Sequence, residues 1–162
     1  MHNQRYTNAI MTNSLIARNQ KARFNYSIEE SYEAGVVLEG WEVKALRQGK
    51  GQLTDGYVLI RNGELFMLGC QIMPLPSASS HVETNADRTK KLLMSKESIE
   101  RLTGKVEQKG FTLVPLDLHW RNGRVKCTVI LAKGKGEFDK RVTIKEREGK
   151  REVERVMKSN RL

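Results

Sequence analysis

Two Asn-Gly dipeptides, each set between long apolar-rich runs, constrain this chain more than any other feature. Asn62-Gly63 separates residues 56–61 from 64–72, and Asn122-Gly123 separates 111–121 from 124–131. A two-residue Asn-Gly loop takes the type I′ turn, whose twist matches that of two paired antiparallel strands. The sequence therefore predicts two β-hairpins. In the second, Val125, Cys127, Val129 and Leu131 alternate with Lys126, Thr128 and Ile130. That period of two turns one mostly apolar face inward and sets Lys126 on the other. Pro115 lacks the N–H a ladder needs, which predicts an edge or a bend there.

Upstream, Phe24, Tyr26 and Ile28 alternate with Asn25, Ser27 and Glu29, and residues 35–38 continue as strand. Residues 41–47 read as a short helix with Trp41, Ala45 and Leu46 on one side, stopping at Gln48-Gly49. Ser95 is an N-cap for a second helix with Glu97 in its first turn. Ile99, Leu102 and Val106 supply its buried stripe and Gly110 its end. About six strands and two or three short helices, in a core of about 110 residues, suit a single small closed β-barrel. Closure removes exposed strand edges.

The core is expected to span 19–132, between an N-terminal arm (1–18) and a basic tail (133–162). In the tail eleven Lys/Arg stand against six Asp/Glu, a net +5 and half of the chain's +10. Its apolar residues are too few for a packed core, so it is expected to stay solvated until a polyanion orders it. Glu146 with Lys150 and Glu154 with Lys158 attract at helical spacing, while Glu148 with Glu152 and Arg151 with Arg155 repel. Helix support is thus at most a few tenths of a kcal/mol, and Gly149 costs roughly 1 kcal/mol against alanine.

A pI near 9.8 with 30% charged residues points to a nucleic-acid or anionic-surface partner. The apolar runs are too short to span a bilayer, and the first 22 residues hold no secretory h-region. Cys70 and Cys127 stand alone, which predicts two reduced thiols in the cytoplasm and no zinc site.

Templates for catalysis fail one by one. His2, His81 and His119 lie in no metal-ligand pattern, and His119, beside Trp120, reads as a packed or surface histidine. Neither Gly49-Lys-Gly51 nor Gly134-Lys-Gly136 has the spacing of a phosphate loop. Glu29 and Glu30 fall on opposite faces of a strand and form no dyad. No enzyme, cofactor or metal is expected. What remains is a basic binding surface. Lys21 and Arg23, then Arg88, Lys90 and Lys91, with Lys126, Lys133 and Lys135, would neutralise phosphates. Leu93, if exposed beside Lys90 and Lys91, could pack on unstacked bases.

Several runs together resemble the SsrA-binding (small protein B) family. They are Asn19-Gln-Lys-Ala-Arg23, Tyr26-x-Ile-Glu-Glu30, Tyr32-Glu-Ala-Gly35 and Gly40-Trp-Glu-Val-Lys44-x-Leu-Arg47. Arg88-Thr-Lys-Lys-Leu-Leu93, Ala132-Lys-Gly-Lys135, Asp139-Lys-Arg141 and Ile144-Lys-Glu-Arg-Glu148 continue the likeness, in order, from Asn19 to Lys158. The resemblance implies an OB-like closed antiparallel β-barrel with about three packed helices. It also implies a role in trans-translation: binding the tRNA-like domain of transfer-messenger RNA and, with elongation factor Tu, delivering it to stalled ribosomes. By position, Asn19, Glu33 and Leu93 match the family's contacts to the RNA elbow. In the tail, Phe138, Asp139, Lys140 and Arg141 would lie near the decoding site. Ile144, Lys145, Arg147, Lys150 and Arg151 would run along the empty mRNA channel as a helix. Gly149 departs from the Ala or bulky aromatic expected there. The competing expectation is a generic OB-fold protein bound to ribosomal RNA or tRNA. A monomer is expected when the protein is free.

Overall fold

A computed structural model describes residues 14–77, 83–108 and 110–134. Among them are seven strands, β1 (Leu15–Arg18), β2 (Tyr26–Val36), β3 (Gly51–Arg61), β4 (Glu64–Ile72), β5 (Lys90–Leu93), β6 (Phe111–Arg121) and β7 (Arg124–Gly134). Three helices join them, α1 (Ala22–Asn25), α2 (Gly40–Arg47) and α3 (Lys96–Val106). The strands run in the order β1-β6-β3-β4-β5-β2-β7, and β7 pairs back onto β6. Six strands thus close into an antiparallel barrel, and β1 lies outside on β6. This is the fold class the sequence predicted.

Both hairpins form as expected, with Asn62, Gly63, Asn122 and Gly123 all at positive φ, as a type I′ turn requires. Alternation then sorts the side chains. Leu65, Met67, Leu92, Leu113, Leu118, Cys127, Val129 and Leu131 fill the barrel, joined by Leu102 from α3 and Ala45 and Leu46 from α2. A smaller cluster lies on the other side of β6 and β7, where Ala22 of α1 covers Val114, Ile130 and Ala132. The Ser95 side chain accepts from the Ser98 backbone N–H, so the predicted N-cap is in place.

Several expectations need correction. Leu15–Arg18, assigned to the N-terminal arm, is strand β1, paired with His119, Leu118 and Asp117. Phe24 belongs to α1 and not to a strand, and β2 ends at Val36 rather than Leu38. Helix α3 stops at Val106, before Gly110. Lys133, placed in the tail, pairs with Ser27 inside β7. Pro115 marks no edge, since β6 is flanked by β1, β3 and β7; the strand shifts register after it, which is the bend.

The β3–β4 pair carries a second irregularity. Register jumps between Leu53 and Tyr57, so residues 54–56 oppose little more than Gly69. A Cβ on Gly69 would lie 2.5 Å from the Gly56 Cα, and one on Gly56 2.9 Å from the Leu68 carbonyl. Glycine meets glycine because no side chain fits between the strands.

Candidate nucleic-acid interface

Outside the barrel, β2, β7 and β6 lie side by side, and pairing sets Glu33 opposite Thr128, Gly35 opposite Lys126, and His119 opposite Lys126. Because Ala34, Cys127 and Leu118 point into the core, alternation puts Glu33, Gly35, Lys126, Thr128, Asp117 and His119 on one outer face. Their polar groups form a chain. Thr128 Oγ1 donates to Asp117 Oδ1 at 2.8 Å. His119 stands between two carboxylates, Nδ1 2.8 Å from Asp117 Oδ1 and Nε2 2.9 Å from Glu33 Oε2. Arg121 Nε lies 3.1 Å from the same Glu33 oxygen. The carboxylate is thereby oriented while remaining partly exposed.

Beside it Leu93 is 54% exposed, whereas its neighbour Leu92 is buried. Gly35 pairs with Leu93, and a Cβ there would sit 3.4 Å from Leu93 Cβ and 3.7 Å from Lys126 Nζ. The bare backbone lets a leucine and an ammonium converge. A groove of about 270 Å³ continues past them, lined by Val36, Val43, Trp120, Arg124 and Lys126. Cations rimming an apolar groove beside an oriented acceptor match what RNA recognition needs: phosphate attraction, a surface for an unstacked base, and a partner for amino or hydroxyl donors.

The other predicted site residues scatter. Asn19 is 5% exposed; its Nδ2 donates to the Pro115 carbonyl at 3.1 Å and its backbone N–H to the Leu116 carbonyl at 2.8 Å. It pins the β1–α1 connection to β6. Lys21 and Arg23 are exposed near it. Lys91 pairs with Glu64 at 2.9 Å, and Lys133 Nζ lies 4.6 Å above the Phe111 ring. Lys135, Phe138, Asp139, Lys140, Arg141, Ile144, Lys145, Arg147, Lys150 and Arg151 lie outside the described residues.

Lys90 is a correction. Its side chain is fully buried, with Nζ donating to the Cys70 carbonyl at 2.7 Å and standing 3.8 Å from Glu42 Oε2. Burial pushes its pKa down. It cannot touch a phosphate. Arg88 closes the same network, donating to both oxygens of Glu42 and, at 3.1 Å, to the Val37 carbonyl. Its hydrogen bond to Glu42 raises its pKa.

Reading the sequence missed Asp117, Arg121 and Thr128 as parts of the outer face, and Glu42 as the buried acid. The two-residue spacing of Asp117, His119 and Arg121 was the available signal. A second surface cluster has Arg101 Nη2 donating to Glu30 at 2.6 Å, with the Tyr32 hydroxyl on the other Glu30 oxygen. Those hydrogen bonds hold the Glu30 pKa below its ordinary value, Arg101 contributing most.

Fold and face together define a small closed β-barrel carrying a basic outer surface around an oriented carboxylate. The family model described as SmpB protein matches residues 16–159. The SsrA-binding protein of Acidovorax sp. (strain JS42) is 71% identical over 148 residues, 91% of this chain and 94% of the relative. That of Polaromonas sp. (strain JS666 / ATCC BAA-500) is 72% identical over 144 residues, 89% of this chain and 97% of the relative. A solved structure described as "tmRNA-SmpB: a journey to the center of the bacterial ribosome" superposes with a TM-score of 0.62 at 41% identity. It covers 76% of this chain and 87% of its own. The chain belongs to the SmpB family.

Proposed function

We propose that the protein is an RNA-binding adaptor of trans-translation. The barrel binds the tRNA-like domain of transfer-messenger RNA and helps bring it to stalled ribosomes. The family match across residues 16–159 carries this reading, together with the likeness to a transfer-messenger RNA complex. The outer face supports it: Glu33 offers an oriented acceptor, Leu93 an apolar contact, and Lys126 a cation, all within three adjacent strands and β5. Elongation factor Tu joins through the charged RNA. The tail from Lys135, with Phe138 to Arg141 at the decoding site and Ile144, Lys145, Arg147, Lys150 and Arg151 beyond, occupies the mRNA channel. The protein acts in the cytoplasm as a monomer before it meets its RNA, and catalyses no reaction itself. Among the described residues no helix is long and apolar enough to cross a membrane.

Binding to the tRNA-like domain, measured beside ordinary alanine tRNA at several salt concentrations, tests the reading. A preference for the former that persists as salt rises supports it, because shape and base contacts then add to counterion release. Equal affinities that collapse together would leave a generic basic barrel. Ending the chain before Glu137 should keep RNA affinity and abolish rescue of stalled ribosomes. Loss of RNA binding in that variant would refute the division between barrel and tail.

A further inference from the structure

Among the described residues, three that are not glycine have positive φ: Asn62 and Asn122, each in a hairpin turn, and Asp55 at φ 46°. Asp55 needs another explanation. It sits at the centre of the β3 irregularity, where the contact of Gly56 with Gly69 forces residues 54–56 out of the ladder. Bulges of this kind re-aim a side chain, and backbone held in a sparsely populated region points to a role beyond folding. The Asp55 side chain is exposed and makes no hydrogen bond or ion pair among the described residues. It faces a groove of about 330 Å³ between β3 and the β1–α1 connection, shared with Arg18, Lys21, Gln52 and Thr54. A smaller depression reached from the same Asp55 and Lys21 adjoins Tyr26. Among the described residues neither cation has a carboxylate within 4.0 Å, so Asp55 does not serve to neutralise them.

We infer that this groove binds one single-stranded nucleotide of the RNA partner, and that Asp55 reads it. The carboxylate accepts a hydrogen bond from a nucleotide donor, a base amino group or a ribose 2′-hydroxyl. Arg18 and Lys21 take the flanking phosphates. An acid on an otherwise basic surface weakens RNA binding through its charge unless it gains a specific donor. The sign of its contribution is therefore diagnostic. This inference rests on the RNA-binding reading and deepens it at the groove that Asn19 and Lys21 also line, adding Asp55 as the residue that reads the nucleotide.

Asp55→Gly is the suitable variant, because glycine adopts the positive φ without penalty. The full chain should melt within a few degrees of the parent and bind the tRNA-like domain of transfer-messenger RNA roughly 10–100-fold more weakly, the loss of one charge-assisted hydrogen bond. Asp55→Asn, which also tolerates that backbone, should fall between. A tRNA-like domain with 2′-O-methyl ribose in its loops identifies the donor. Equal weakening of the parent, with no further loss in Asp55→Gly, assigns the hydroxyl; an unchanged parent affinity assigns the base amino group. Unaltered or tighter binding by Asp55→Gly overturns the inference, since that is what removing a bystander charge does. Failure of the parent itself to bind would refute the proposed function instead.

Discussion

Removing the Glu42 carboxylate should cost far more stability than removing the Lys90 ammonium beside it, although both side chains are fully buried. Glu42 is the hub. Arg88 donates to both its oxygens, Lys90 Nζ lies 3.8 Å away, and the Glu39 backbone N–H donates to Oε1 at 2.8 Å. In Glu42→Ala the Lys90 charge keeps only the neutral Cys70 carbonyl, and α2 loses half of its capping box. Breaking one side of a buried ion pair costs about 3–5 kcal/mol, and a lost cap about 1 kcal/mol. The two share one side chain and do not add fully, so about 4 kcal/mol is expected. In Lys90→Met, Glu42 retains Arg88 and the Glu39 N–H. The Cys70 carbonyl loses its donor, at about 1–3 kcal/mol, offset by no longer burying an ammonium. The net loss should be about 1 kcal/mol. Urea unfolding followed by Trp41 and Trp120 fluorescence measures both variants. A loss for Lys90→Met equal to or above that for Glu42→Ala would refute the assignment of Glu42 as the hub. The same Lys90→Met protein should keep its affinity for transfer-messenger RNA, because Nζ is out of reach of any phosphate.

Gly69→Ala should lose on the order of 3 kcal/mol in a thermal melt, since its Cβ would meet the Gly56 backbone at 2.5 Å and its φ is +84°. A melt like the parent's would mean that β3 and β4 can separate there. Stability should also fall at alkaline pH. Burial pushes the Cys70 thiol from 9.0 up to about 11, and it raises Cys127 too. The unfolded chain therefore gives up these protons first, so this stabilisation is complete below pH 9 and is lost as pH rises toward about 11. For Cys70 it amounts to about 2–3 kcal/mol. Urea midpoints between pH 8 and pH 11 should show the slope, and Cys70→Ala should flatten it.

What the sequence made legible was local. Each Asn-Gly turn fixes its own hairpin within a few residues, and the Ser95 cap needs only Ser98. The missed elements are short ones whose existence depends on distant partners. Strand β5 is four residues long and is held by Leu65, Phe66 and Met67 of β4. Strand β1 is also four residues and exists by pairing with β6, about a hundred residues later. Phe24 kept the alternation of a strand yet joined α1, because Asn19 anchors the chain to Pro115 and Leu116 and turns it there.

The outer face follows the same rule. Glu33 and His119 meet across β7 although they are 86 positions apart, and only barrel closure fixes that register. For Lys90, however, the strand period alone decides the outcome. On a strand, Leu92 and Leu93 must face opposite ways, and Lys90 shares the face of Leu92. Exposing Leu93 therefore sends Leu92 and Lys90 into the core together and turns Lys91 outward, and the strand shows that pattern, with Lys90 and Leu92 buried, Lys91 half-buried and Leu93 exposed. An ammonium delivered to a core needs a buried acid, and α2 supplies Glu42, beside half-buried Trp41 and fully buried Ala45. Lys90 and Leu93 lie on opposite faces of β5 and cannot both reach one outer surface. The face that turned inward carries the charge, and Lys90 is held there by Glu42 while Leu93 stays outside.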